Sequence, residues 1–63
     1  MHYYKVTTTA VLMPDEAQHE PGLPEGDYAT GYTRYRLAAD RIAAMDRNQG
    51  GKPTVERVEV ADK

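Results

Sequence analysis

A run of thirteen residues near the middle of the first half decides how this chain can be divided. Residues 14–26 contain Pro14, Pro21 and Pro24 together with Gly22 and Gly26. Proline removes a backbone donor and fixes φ, and glycine lowers the cost of leaving any regular conformation. The spacing predicts no helix or strand across this stretch, only a long connection. What remains is a single extended segment before it and about thirty-five residues after it. All 63 residues then read as one small domain with a loop over residues 14–26.

Before the loop, residues 3–13 are rich in tyrosine, threonine and valine, with no glycine or proline. This composition predicts a strand over the whole segment. Alternation places Tyr4, Val6, Thr8, Ala10 and Leu12 on one face, and Tyr3, Lys5, Thr7, Thr9 and Val11 on the other. After the loop, Tyr28, Thr30 and Tyr32 alternate, which predicts a short second strand in residues 27–32, antiparallel to the first. Residues 34–48 predict a helix capped by Thr33, with Tyr35, Ala38, Ile42 and Met45 on one apolar stripe. Gly50 and Gly51 stop it, and residues 54–60 alternate as a last strand. Residues 61–63 read as a frayed tail.

The order strand, loop, strand, helix, strand predicts an α+β fold: an antiparallel or mixed sheet of about three strands, covered on one face by one helix. The other face and the sheet edges are left bare.

The core available to such a fold is thin. The chain has nine branched aliphatic residues, five tyrosines and no phenylalanine or tryptophan. Domains of this size bury only about 60% of their unfolded surface, and without disulfides or metal many rely on association. A homodimer, or binding to another protein, is therefore expected. The absence of cysteine fits a reducing compartment, and with no long apolar run either, the chain is expected in the cytoplasm, away from membranes.

Charge is unevenly distributed. Residues 14–27 carry five carboxylates and no cation, whereas residues 28–63 carry seven cations against five carboxylates. His19 stands among Asp15, Glu16 and Glu20, but the spacing matches no metal-binding motif, and a solvated acidic loop accounts for it. Gly50-Gly51-Lys52 follows a helix instead of preceding one, so it is a helix stop and no phosphate loop. Neither histidine has a nucleophile or orienting carboxylate in a recognisable pattern. No enzyme activity, cofactor or small-molecule substrate is expected.

What is left is binding chemistry. Tyr28, Tyr32, Arg34, Tyr35 and Arg41, with Asp15, Glu16 and Glu20 of the acidic loop, form the expected contact surface. Arg41 falls at the margin of the apolar stripe, where it either snorkels or meets a partner's carboxylate. A nucleic-acid alternative uses Arg34, Arg36, Arg41, Arg47 and Lys52 with Tyr32, although the net charge of −2 argues against it. A further alternative is a small subunit of a larger enzyme or virion assembly.

Tyr-Lys-Val-Thr-Thr-Thr at 4–9, Leu-Ala-Ala-Asp-Arg-Ile-Ala-Ala at 37–44 and Thr-Val-Glu-Arg-Val-Glu-Val at 54–60 set out a strand, helix and strand. In this layout the chain resembles small accessory proteins encoded by phages, anti-CRISPR proteins among them. The resemblance implies a strand–strand–helix–strand unit that binds a host protein. It covers layout alone and carries no functional residue across.

Overall fold

The structure, a computed structural model, describes residues 1–61. Its elements are β1 (His2–Thr7), α1 (Asp15–Gln18), β2 (Thr30–Thr33), α2 (Arg36–Asn48) and β3 (Thr54–Glu59). The strands form one antiparallel sheet in the order β2-β1-β3. β2 and β3 thus run the same way with β1 between them. Parallel strands need a long crossover, and α2 supplies it.

Directly opposed residues share a face, so the register assigns both sides of the sheet. Tyr4 pairs with Thr33 and Arg57, and Val6 with Gly31 and Val55; this face is covered. Tyr3, Lys5 and Thr7, with Tyr32, Thr30, Val58 and Glu56, lie on the uncovered face. The core consists of Tyr4, Val6, Met13, Ala17, Ala39 and Ile42, with Val55 packed against it. Alanines on α2 let its backbone approach the sheet closely, which is how so few large side chains can fill the space. Gly31 serves the same end on β2: a Cβ there would lie 2.8 Å from the Cβ of Ala17 and collide with Met13.

The expected α+β architecture is present, and several local expectations are corrected. The first strand ends at Thr7, not at Met13. Beyond it the chain turns, because the Asp46 carboxylate on α2 accepts the backbone N–H groups of Thr9, Ala10 and Val11. The Thr8 hydroxyl closes the turn by donating to the Val11 carbonyl at 2.8 Å. Leu12, expected on the same face as Tyr4 and Val6, is consequently exposed, and Met13 enters the core.

Second, the proline-rich stretch is structured. Pro14 stands at the N-cap of α1, one turn of helix whose Ala17 is buried. The Gln18 side chain donates to the Met13 carbonyl, and Gly26 N–H donates to the Gln18 carbonyl. Prolines at a helix start and in turns cost nothing, so their number limited element length without preventing order.

Third, α2 begins at Arg36, with Tyr35 as its cap residue; Thr33 belongs to β2, and its hydroxyl accepts the Tyr35 N–H. The buried stripe is Ala39, Ile42, Ala43 and Asp46, turned by roughly 70° from the expected one at about 100° per residue. Tyr35 and Met45 remain exposed. Gly50, at φ 86, ends the helix in the left-handed region. The expected second strand also shifts to Thr30–Thr33, leaving Tyr28 in the preceding turn. Of the expected frayed tail, Ala61 belongs to no element and residues 62–63 lie outside the described residues.

Candidate functional site

The displaced stripe of α2 defines the most distinctive surface of the molecule. Ala38, Arg41, Ile42 and Met45 follow the i, i+3, i+4, i+7 spacing of one helical face, and they form one wall of a cleft of about 430 Å³. Pro14, Glu16, Ala17 and Glu20 form the opposite wall. The floor and one end come from Tyr32, Thr33 and Tyr35, where β2 passes into α2. α1 packs on β2 where Ala17 meets Gly31 on the covered face, so the cleft lies between the two helices.

Its chemistry is an apolar trough with charges at the rim. Ala17 and Ile42 line it from the core, whereas Tyr35 is 68% exposed and Met45 51% exposed at the mouth. Carboxylates stand on the α1 side and Arg41 on the α2 side. Glu20 is already paired: Arg34 Nη1 donates to its Oε2 at 3.1 Å, and Arg34 Nη2 donates to the Pro21 carbonyl at 2.7 Å. This two-pronged contact ties the loop after α1 to β2 and fixes the acidic wall. Glu16 and Arg41 have no ion-pair partner among the described residues.

Of the residues expected to make contacts, Glu16, Glu20, Tyr32, Tyr35 and Arg41 come together on the cleft. Arg34 buttresses it from behind, and neither Asp15 nor Tyr28 lines it. Tyr28 is exposed in the turn before β2, where its carbonyl accepts the Met13 N–H. Six further lining residues were not among the expected contacts: Pro14 and Ala17, then Thr33, Ala38, Ile42 and Met45. Only the neglected one-turn helix could have revealed the first two, through Pro-Asp-Glu-Ala at its start.

Two cations of the nucleic-acid alternative are held by carboxylates, Arg34 by Glu20 and Arg36 by Asp40 at 3.1 Å. Arg36 also lies 5.8 Å above the Tyr4 ring. The histidines stand elsewhere. His19 Nδ1 is 2.6 Å from Glu25 Oε1, and the His2 ring meets Tyr4 edge-on. Among the described residues, no group of three or more His, Asp or Glu side chains is placed to hold a metal ion. No helix among them is long and apolar enough to cross a membrane.

The most deeply placed ionisable group is Asp46, fully buried behind the cleft. Burial pushes its carboxyl up, but the N–H groups of Ala10, Thr9 and Val11 and the Thr9 hydroxyl outweigh that effect and hold it below the usual carboxylate range. Both of its oxygens accept hydrogen bonds from residues 9–11, which makes it an anchor for the turn after β1.

No protein-family model matches the chain, and neither the curated proteins nor the solved structures contain a match.

Proposed function

We propose that this chain is a non-enzymatic protein-interaction module whose cleft between α1 and α2 receives an apolar segment of a partner protein. The observation that carries the reading is the apolar stripe Tyr35–Ala38–Met45. It is displaced from the sheet and lines an open trough, leaving Tyr35 and Met45 exposed in a chain with few large apolar groups to spare. Exposed apolar surface rimmed by polar residues is characteristic of interaction sites. Tyrosine and arginine are enriched at such sites, and here Tyr35 and Arg41 flank the trough. The pairing of Arg34 with Glu20 gives the acidic wall a fixed shape, reducing the ordering cost of association.

The complementary segment carries an apolar side chain for the trough, a cation towards Glu16 and an acidic or neutral polar group towards Arg41. The layout shared with phage accessory proteins supports a host protein as the partner. A nucleic-acid role has weaker support, since Arg34 and Arg36 are engaged within the chain.

Affinity capture with the wild type and with Ala38→Trp tests the reading. Ala38 is partly exposed on the cleft wall, so the indole fills the trough without entering the core. A partner recovered with the wild type and lost with a folded Ala38→Trp variant is the expected result. Equal recovery by both proteins overturns the proposal.

A further inference from the structure

The two edges of the sheet are finished differently. At β2 the outward-facing backbone of Thr30 exchanges bonds with Asp27, while Ala17 and Met13 pack over Gly31 on the covered face. No described element lies outside β3. The ladder fixes which of its backbone groups face outward. Val60 N–H donates to the Met1 carbonyl at 2.9 Å, and the Met1 amine donates to the Val60 carbonyl at 3.4 Å. In an antiparallel ladder such bonded pairs alternate, so Val58, Glu56 and Thr54 also turn their backbones towards β1. Val55, Arg57 and Glu59 turn their N–H and C=O groups outward, where no backbone partner meets them among the described residues.

We infer that this edge pairs antiparallel with β3 of a second copy, about a two-fold axis at Val58, to give a continuous six-stranded sheet. The inference is independent of the cleft, which lies at the other edge.

Its basis is charge complementarity under symmetry. Outward-facing backbone groups must meet outward-facing ones, so a two-fold axis falls on a single residue and only a few registers exist. An axis at Glu56 sets that carboxylate opposite its own copy and brings Pro53, which has no N–H, opposite Glu59. An axis at Arg57 sets two guanidinium groups face to face. An axis at Val58 does neither: Arg57 lies opposite Glu59 of the second copy, and Glu59 opposite its Arg57. Within one chain these side chains already share a face and touch, with Arg57 Nη1 2.5 Å from Glu59 Oε1. On the uncovered face the same register brings Val58 against its copy.

Val58 already lies opposite Tyr3, whose ring meets Tyr32 at 5.8 Å. The joined sheet therefore carries an unbroken apolar row from Tyr32 through Tyr3 and Val58 into the second copy. The helices do not obstruct the pairing. α2 lies over β1 with contacts to both neighbouring strands, and β1 is three strand spacings from its copy, about 14 Å. Helices pack at about 8–10 Å, so two at that separation clear one another.

Sedimentation equilibrium between about 10 µM and 1 mM tests the pairing. The wild-type mass is expected to rise from 7.1 kDa towards twice that value. Arg57→Glu and Glu59→Arg each place like charges opposite one another twice, and each is expected to weaken association about tenfold or more. The double exchange R57E/E59R restores both pairs and returns association to within about threefold of the wild type. Amide exchange in the wild type gives a second readout that does not depend on how the variants fold. The outward N–H groups of Arg57 and Glu59 should gain protection as concentration rises. A wild type that stays monomeric, a dimer indifferent to both single exchanges, a double exchange as weak as the singles, or unprotected Arg57 and Glu59 amides in a dimer overturns the inference.

Discussion

Asp46 on α2 and Ala10 in the turn after β1 are joined by a backbone N–H to carboxylate bond of 2.6 Å across 36 positions of sequence. The same carboxylate takes Val11 N–H at 2.9 Å and Thr9 N–H at 3.1 Å. Gly51 lies against it so closely that a Cβ there would meet the carboxylate atoms. Thr9 extends the knot by accepting Lys52 N–H through its hydroxyl at 2.7 Å. One side chain thus closes the end of β1, the C-terminal end of α2 and the approach to β3 into a single unit.

Removing that carboxylate leaves three backbone donors without their acceptor. Asp46→Ala is expected to lower the melting temperature by about 10 °C or more, since it leaves a buried gap and takes away the acceptor that holds three successive N–H groups in the turn. Asp46→Asn retains one acceptor oxygen and should fall between the variant and the wild type. Thermal unfolding followed by circular dichroism ranks the three, and an Asp46→Ala protein as stable as the wild type contradicts the anchoring role.

The same contacts set an acid limb. The Asp46 carboxyl is held below its unfolded value, near 3.9, so its contribution is fully present above that pH and disappears as pH falls through the folded value. Wild-type stability should therefore decline between about pH 4 and the acid extreme, more steeply than that of Asp46→Asn. Urea titrations from pH 2 to pH 7 measure the two slopes, and parallel slopes would exclude Asp46 as the source.

Gly31 is the point where Met13 and Ala17 close over β2. Gly31→Ala forces a methyl group into that contact. The expected cost is about 1–3 kcal/mol, the usual range for overpacking a core, although alanine suits a strand better than glycine does. Chemical denaturation compares the two proteins, and an unchanged midpoint would show that α1 yields at little cost.

Arg34 should behave differently. Its pair with Glu20 is partly exposed, with side-chain exposures of 37% and 28%, so Arg34→Ala is expected to change global stability by no more than about 1 kcal/mol. The effect should be local, because both guanidinium contacts hold residues 20–21. Limited proteolysis should cut residues 20–27 faster in the variant, at a rate set by local opening. Faster cutting elsewhere, or a large fall in global stability, would show that Arg34 supports the core directly.

How much of this was legible beforehand follows from the range of each interaction. The α+β class, the antiparallel pairing of the first two strands, a helix ended by Gly50 and a valine-bearing last strand were readable. They rest on alternation, helical period and glycine chemistry, all carried by neighbouring residues. Five of the eight proposed contact residues reached one cleft, because Glu16 on α1 and Glu20 just after it are held against β2, while Tyr32, Tyr35 and Arg41 follow one another through the turn into α2.

The rest depended on partners far apart in the chain. Residues 8–13 have the composition of a strand, yet they turn, because a carboxylate nearly forty positions away offers their N–H groups a better acceptor than a neighbouring strand could. The same bond helps orient α2, so Ala39 and Ala43 meet the sheet while Ala38 and Met45 line the cleft. A helical wheel shows an apolar arc wide enough for either choice and cannot select between them. Residue order alone determined which segments extend, which coil and where glycine and proline break them. The tertiary structure decided where β1 stops and which side of the helix is buried, because a buried carboxylate must be satisfied by whatever donors the fold brings within reach.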